Sequence, residues 1–342
     1  KCVRKWWPRT CARLREICYS RVTGIMFQLA SNKILERCDI VKVLITGASG
    51  MVGQELSKLM LNAHCPSSSE LNLMNPEAVK DFMERGKFDY VIHLAAYVGS
   101  LHDNIDNRTR YFDQNILMNT IITKYAYESG VKNFLGILST CIYPDNINSF
   151  PIKEESLHDG APHADLMSYA YAKRSHAVQL TAYKESFDVN YNYLIPCNLF
   201  GLVAESHKGR SHYVNDLIHK IILAKKNNES AITLFGDGSP LRQFMYAGDF
   251  ARVISHYVNE GQTGSFNVAP EINLTVNQIA LLALKACDAE HLSIKYDSSK
   301  PNGQHRKDVD TTALKDAMPS LHFIDLAAGI RKIYDIEAIG EF

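Results

Sequence analysis

Residues 41–53 read VKVLITGASGMVG, and this stretch decides the fold. Its first six residues form a short apolar run rich in β-branched side chains, which predicts a buried strand. Glycines follow at the spacing G-x-x-G-x-x-G, and helical periodicity begins at Met51 and continues to about Leu61. These glycines are Gly47, Gly50 and Gly53. Small residues between a strand and a helix let a pyrophosphate approach the helix N-terminus, so we predict dinucleotide binding here. A bare structural turn is the alternative, because glycines also end strands.

Strands and helices alternate through the residues that follow. Apolar runs predict strands at 88–94, 133–138 and 189–196, and helical periodicity predicts helices at 111–129 and 167–187. Alternation at this spacing is typical of parallel strands joined by crossover helices. The chain is therefore predicted to be an α/β protein with a Rossmann-type doubly wound parallel sheet.

Loop signals interrupt this alternation at 201–220, 231–241 and 295–310. They predict a smaller, discontinuous C-terminal lobe that binds substrate. The predicted boundaries are 41–200 and 241–270 for the dinucleotide-binding domain, and 201–240 and 271–342 for the substrate-binding lobe.

Composition and charge exclude several classes of protein. The chain has 342 residues, of which 46% are hydrophobic and 22% charged, which excludes a disordered chain, a collagen and a coiled coil. The net charge is zero, so we expect neither nucleic acid nor an anionic membrane as a partner. The zero hides a basic segment, since residues 1–40 carry a net charge of +6. We predict that this segment is an extension outside the fold, with sequence upstream of a start at Met26 or a transit peptide as alternatives.

The eight cysteines are scattered, with neither a C-x-x-C pair nor a Cys/His cluster at metal spacing. This pattern predicts free thiols, a reducing compartment and no structural metal.

The stretch that should read the adenosine ribose is short. Residues 61–69 contain neither an acid for a 2′-hydroxyl nor an arginine for a 2′-phosphate, although Glu70 follows directly. The residues themselves therefore leave NAD and NADP open, and the stretch is too short for a full strand and loop.

Residues with acid-base chemistry follow the third predicted strand. Ser139 lies at its carboxyl end, where parallel sheets bind ligands, and Cys141 lies two residues later. Tyr169 and Lys173, four residues apart, share one face of a predicted helix, and an ammonium nearby is expected to lower the pKa of the phenol. A chance Tyr/Lys pair and a small core cysteine are the structural alternatives. The order of these residues after a glycine turn favours a catalytic site.

Residues 139–144 read STCIYP and resemble the S-[ST]-C-I-[YF]-P signature of the GDP-L-fucose synthase family, in the extended short-chain dehydrogenase/reductase superfamily. Related dehydratases carry an acid, and related 4-epimerases a small residue, where the cysteine stands. The similarity covers nearly all of residues 41–335 and includes GMVG at 50–53, HLAAYVG at 93–99, NLFG at 198–201, GDGSPLRQF at 236–244 and KPNGQHRK at 300–307.

The resemblance implies NADPH-dependent conversion of GDP-4-keto-6-deoxy-D-mannose to GDP-L-fucose, by epimerisation at C3 and C5 and then reduction at C4. It implies that Cys141 is the base and His212 the acid of the epimerisation. Tyr169, assisted by Lys173 and Ser139, would then protonate the C4 oxygen. His212 is assigned because residues 211–214, SHYV, resemble the family's S/G-H-V.

The resemblance also implies the binding residues and partners. The implied contacts to NADP(H) are Gly47, Gly50, Met51, Val52, Gly53, Asn72, Leu73, Ala95, Tyr169 and Lys173. The implied contacts to the GDP-sugar are Asn198, Phe235 in place of the family's usual tryptophan, Arg242 on the diphosphate, and Lys300. A cytoplasmic homodimer is implied, with the interface on helices 111–129 and 167–187.

Two departures leave alternatives open. Residues 202–206 read LVAES where the family has P-x-D-N-F, and Ser100 replaces the second glycine of V-G-G. A related epimerase/reductase acting on another nucleotide sugar, or a non-catalytic nucleotide-binding homologue, are therefore alternatives.

Overall fold

The computed structural model describes residues 41–147, 149–203, 213–300 and 302–341. The strands are β1 Val43–Thr46, β2 Tyr90–His93, β3 Asn133–Ile137, β4 Asn190–Pro196, β5 Asn198–Phe200, β6 Ala231–Phe235, β7 Leu241–Arg242, β8 Phe244–Tyr246, β9 Phe266–Val268, β10 Leu274–Thr275 and β11 Ser293–Asp297. The helices are α1 Met51–Leu59, α2 Pro76–Gly86, α3 Leu101–Asp106, α4 Arg108–Glu128, α5 Met167–Ser186, α6 Tyr213–Lys226, α7 Ala247–Asn259, α8 Val276–Ala286, α9 Thr312–Ala317 and α10 Leu326–Glu341.

A parallel sheet with the strand order β1-β2-β3-β4-β9 forms the centre of the fold. Successive side chains of a strand point to opposite faces of a sheet. Val43 and Ile45 accordingly pack in a core with α1 and α7, whereas Leu44 packs in a second core with α2 and α4. Helices thus cover both faces, which confirms the predicted α/β, Rossmann-type fold.

The short stretch at 61–69 does not form a full strand. Its pairing with β1 is one parallel bridge, in which the His64 N–H donates to the Val43 carbonyl at 2.8 Å and the Ile45 N–H donates to the His64 carbonyl at 2.9 Å. The bridge lies next to β1, at the position where the ribose-reading strand was expected.

Each of the three regions predicted to be loop-rich contains some regular structure. Residues 213–220 belong to α6, whose Val214, Leu217, Ile218 and Ile221 are buried at helical spacing. Residues 231–235 form β6, which pairs in parallel with β11. Polar residues between the apolar positions disguised α6 in the sequence, and the turn residues 236–240 directly after Phe235 disguised β6.

A further hydrophobic core joins α6, α8 and α10 with β6 and β8.

The predicted domain boundaries stay a prediction, and the basic segment 1–40 lies outside the described residues. Within the described part of the chain, no helix is both long and apolar enough to cross a bilayer. The same residues include no group of three His, Cys, Asp or Glu side chains that could hold a metal ion.

Candidate active site

The glycine turn connects β1 to α1 at the edge of a cavity. Gly47 has φ +75°, and a Cβ there would lie 2.6 Å from the Ala95 backbone nitrogen. Gly50 is the N-cap residue of α1, and no side chain caps the helix. The N-terminus of α1 therefore presents backbone N–H groups that suit an anion.

One cavity of about 930 Å³ collects most of the predicted site residues. From the cofactor and catalytic sets it is lined by Gly47, Gly50, Met51, Val52, Gly53, Asn72, Leu73, Ala95, Ser139, Cys141, Tyr169 and Lys173. From the substrate set it is lined by Asn198, Phe235 and Arg242. Lys300 is not among the lining residues, but its Nζ lies 5.9 Å from the Phe235 ring centroid. His212 lies outside the described residues.

The segment after β3 places Ser139 and Cys141. Ser139 is the N-cap of a 3-10 turn at Thr140–Ile142, and its Oγ accepts a long hydrogen bond of 3.5 Å from the Cys141 N–H. The sheet edge therefore holds both side chains against the cavity.

Burial changes the expected chemistry of Cys141. Burial raises the pKa of the Cys141 thiol above its ordinary value, and the hydrogen bond with Ser139 and the ammonium groups of Lys307 and Lys173 oppose that rise. Burial therefore works against the use of Cys141 as a base, and the neighbouring cations work in its favour.

Tyr169 and Lys173 share one face of α5, as predicted, but they do not have the expected electrostatics. Lys173 is 2% exposed, its Nζ donates to the Ile137 carbonyl at 2.8 Å, and it lies 5.9 Å from the centroid of the Tyr169 ring. Burial raises the pKa of Tyr169, with smaller contributions from Cys141 and Tyr111, and burial lowers the pKa of Lys173 to about 8. The expectation that Lys173 lowers the pKa of Tyr169 was wrong, because desolvation dominates. Tyr169 is thus a protonated group suited to donate a proton.

The residues predicted to bind the substrate are held by hydrogen bonds to backbone carbonyls. Asn198 Nδ2 donates to the Gln243 carbonyl at 3.0 Å, and Arg242 Nη1 donates to its own neighbour, the Leu241 carbonyl, at 2.8 Å. Burial lowers the pKa of Arg242 to about 10. Arg242 remains a cation near neutral pH and has further N–H groups available for phosphate oxygens.

At the ribose end, Glu70 is engaged by its own turn. Its Oε2 accepts hydrogen bonds of 2.8 Å from both the N–H and the hydroxyl of Ser67. These hydrogen bonds lower the pKa of Glu70. Ser68 and Pro66 line the cavity instead.

Ser100, which replaces a glycine of the family, also lines the cavity. Its hydroxyl caps the N-terminus of α3 by accepting a hydrogen bond from the Asp103 N–H at 3.3 Å.

Three charged residues that the sequence reasoning did not assign also line the cavity: Lys307, Lys220 and Asp216. Burial, and then the charge of Arg242, lower the pKa of Lys307 to about 8. Lys307 is the last residue of the KPNGQHRK stretch at 300–307. The sequence identified that motif but did not indicate that Lys307 lines the cavity. Lys220 and Asp216 lie on α6 and form an ion pair between residues i and i+4. The sequence analysis read residues 201–220 as loop, so the four-residue spacing of this pair was not recognised.

Comparisons with known proteins agree with this geometry. The sequence profile of the NAD dependent epimerase/dehydratase family matches residues 43–269. The chain is 34% identical over 300 residues to a GDP-L-fucose synthase of Dictyostelium discoideum, covering 85% of this chain and 93% of that protein. It is 30% identical over 300 residues to a GDP-L-colitose synthase of Yersinia pseudotuberculosis, with coverages of 85% and 96%. A solved GDP-L-fucose synthetase from Naegleria fowleri, bound to NADP, superposes with a TM-score of 0.77 at 28% identity, covering 87% of this chain and 93% of that one.

Proposed function

The chain belongs to the NAD dependent epimerase/dehydratase family, and on that premise we propose that it converts GDP-4-keto-6-deoxy-D-mannose to GDP-L-fucose with NADPH. One observation carries the proposal. A single cavity joins the glycine turn to Ser139, Cys141, Tyr169 and Lys173. Cofactor and acid-base groups thus meet at one place, as a combined epimerase and reductase requires.

The residues of the glycine turn fit a bound dinucleotide. Close packing of Gly47 on Ala95 leaves no space for a side chain, while Gly50 faces the cavity with only the Gly47 carbonyl, at 3.2 Å, near a would-be Cβ. A pyrophosphate at this position would meet the uncapped N-terminus of α1. NADPH, when bound, supplies the hydride that reduces C4 of the sugar.

Cys141 acts in the epimerisation. The 4-ketone makes the protons on C3 and C5 acidic, because the carbanion left behind is delocalised onto the ketone oxygen. The Cys141 thiolate removes such a proton, and His212 returns a proton to the opposite face of the same carbon. Lys307 and Lys173 favour the thiolate that this step needs.

Tyr169 acts in the reduction. Its buried hydroxyl is protonated, because burial raises the pKa of the phenol. It donates that proton to the C4 oxygen as C4 gains hydride, so that the ketone becomes a hydroxyl group. Lys173, also buried, positions this end of α5 through its hydrogen bond to the Ile137 carbonyl.

Turnover of the GDP-linked 4-keto sugar tests this proposal. We expect the purified chain to oxidise one NADPH for each GDP-fucose formed. Cys141→Ser should lower epimerisation by roughly 10²–10⁴-fold, the range of general acid-base catalysis. Cys65→Ser is the matched control, because Cys65 is exposed and does not line the cavity. Absence of turnover, or equal turnover by both variants, contradicts the proposal, and cofactor binding without hydride transfer indicates a non-catalytic homologue.

The similarity to a GDP-L-colitose synthase favours a second candidate, an epimerase/reductase acting on another nucleotide-linked 4-keto sugar. The altered residues 202–206 also support it. Activity measured with GDP-4-keto-6-deoxy-D-mannose, with other GDP-linked 4-keto sugars, and with UDP- and dTDP-linked 4-keto sugars separates the two candidates.

We further propose a homodimer through α4 and α5. The two helices pack together and leave apolar side chains exposed, among them Leu117 at 46% and Val178 at 52%. Val178→Glu should shift the mass measured by light scattering from dimer to monomer, whereas Leu281→Glu, at an exposed position of α8, should not. An unchanged mass for Val178→Glu rejects this interface.

We also propose a cytoplasmic location. The free thiols of Cys65, Cys141, Cys197 and Cys287 support a reducing compartment. Fractionation of cells of the source organism tests it, and recovery in an oxidising compartment contradicts it.

A further inference from the structure

Asp216 is an unexpected residue in this cavity. Among the described residues that line it, Asp216 is the only one with a carboxylate, whereas Lys173, Lys220, Arg242 and Lys307 contribute cations. The proposed ligands are a dinucleotide and a nucleoside-diphosphate sugar, and both carry negative phosphates. A carboxylate would repel them unless it faces a part of the ligand that donates hydrogen bonds.

The surroundings of Asp216 place it beside an aromatic platform. Its Oδ2 lies 2.8 Å from Lys220 Nζ, one helical turn along α6. The same Lys220 Nζ lies 5.0 Å from the centroid of the Phe235 ring. Phe235 lines the cavity and is half exposed, so a ligand ring can stack on it. Lys220 therefore links the Asp216 carboxylate to Phe235, the ring on which we expect the nucleotide base of the substrate to stack.

The paired charges match the edge of guanine. Guanine presents an acceptor, O6, next to two donors, N1–H and the 2-amino group, whereas adenine presents an acceptor at N1 and a donor at N6. The Lys220 ammonium donates only, and the Asp216 carboxylate accepts only, with lone pairs to spare beyond the one used by Lys220. Adenine would place its N1 lone pair against the carboxylate, which is repulsive.

We propose that Asp216 determines nucleotide specificity by accepting hydrogen bonds from N1–H and the 2-amino group of guanine, while Lys220 donates to O6. This inference rests on the proposed function and names the residue that selects the GDP half of the substrate. Asp216 acts by rejecting other bases as well as by binding guanine.

Dissociation constants for free GDP, IDP, ADP and UDP, measured by calorimetry, test the assignment without requiring turnover. IDP lacks the 2-amino group, and ADP lacks both guanine donors. We expect the wild-type chain to bind GDP most tightly. Asp216→Asn should weaken GDP binding by about tenfold, the effect of one hydrogen bond to a charged group, while ADP binding stays the same or tightens. Asp316→Asn, exposed on α9 and not lining the cavity, is the matched control.

Each outcome is informative. A uniform loss for GDP, IDP and ADP overturns the assignment, because Asp216 would then only hold Lys220 or contact the ribose. Unchanged discrimination in Asp216→Asn also overturns it. A wild-type chain that prefers UDP or ADP overturns this inference and the proposed function together, whereas preference for GDP without turnover overturns the proposed function alone. An unchanged NADPH dissociation constant for Asp216→Asn establishes that the variant is folded.

Discussion

At the scale of single residues, burial decides the roles of Cys141 and Tyr169. Burial raises the pKa of both groups, which suits a proton donor such as Tyr169 but works against a base such as Cys141. The compensation for Cys141 comes from cations, because the ammonium groups of Lys307 and Lys173 lower the pKa of the thiol. Lys307 therefore acts through Cys141, because its positive charge favours the thiolate form of that side chain.

Lys307→Met tests this coupling. Without the ammonium, the pKa of Cys141 rises, so the thiolate fraction at a given pH falls. We expect the rising limb of the pH profile for proton exchange at C3 and C5 to move to higher pH, with about tenfold slower exchange near pH 7 for each unit moved. Deuterium incorporation from solvent, followed by NMR without cofactor, measures it. Lys295→Met, at an exposed position of β11, is the control. If the Lys307→Met profile falls in height without moving along the pH axis, the coupling between Lys307 and Cys141 is contradicted.

At the scale of elements, the turn between β1 and α1 combines backbone strain with close packing. Gly47 needs a positive φ and also lies against Ala95, whereas Gly130, after α4, has φ +86° and nothing within 4 Å of a would-be Cβ. The two glycines therefore separate conformational strain from steric contact.

Gly47→Ala and Gly130→Ala form a matched pair. Gly130→Ala should lower the free energy of unfolding by about 1–2 kcal/mol, because an alanine is strained at positive φ, and Gly47→Ala should lower it further, because its Cβ would also clash with the backbone of Ala95. Only Gly47→Ala should also weaken NADPH binding, by tenfold or more, since its Cβ displaces the segment around Ala95 that lines the cavity. Denaturant unfolding and NADPH fluorescence titration measure the two effects. Equal NADPH affinities of the two variants would show that the turn does not shape the cofactor site.

At the scale of the whole molecule, a buried histidine links stability to pH. His93, at the end of β2, contacts Thr46 Oγ1 through Nδ1 at 2.7 Å and Asn119 Oδ1 through Nε2 at 3.0 Å. Burial, and then the charge of Lys173, lowers the pKa of His93 from 6.5 to about 3. His93 is therefore neutral in the folded chain across the physiological range.

The sign of the pH effect follows. Below pH 6.5 the unfolded chain binds a proton at this histidine that the folded chain does not bind until about pH 3, so stability falls across that window. The full loss is on the order of 5 kcal/mol. His93→Gln should be less stable at neutral pH but should lose less stability on acidification. His158→Gln, at an exposed position, should decline like the wild type in pH-dependent denaturant unfolding, and parallel declines of all three proteins would falsify the assignment.

Local pattern was sufficient to predict much of this protein. The run into Gly47, the alternation of elements and the Tyr169–Lys173 spacing all depend on near neighbours in the chain, so the fold class, the glycine turn and the Tyr169–Lys173 pair could be read from the sequence. Only the tertiary structure decided the charge state of those residues. Desolvation depends on what packs around a group. It raises the pKa of Tyr169, which was expected to be lowered, and it also raises the pKa of Cys141. Tertiary structure also brought Lys307 near Cys141, and Lys220 with its ion-pair partner Asp216 near Phe235, because these residues belong to different elements of the fold.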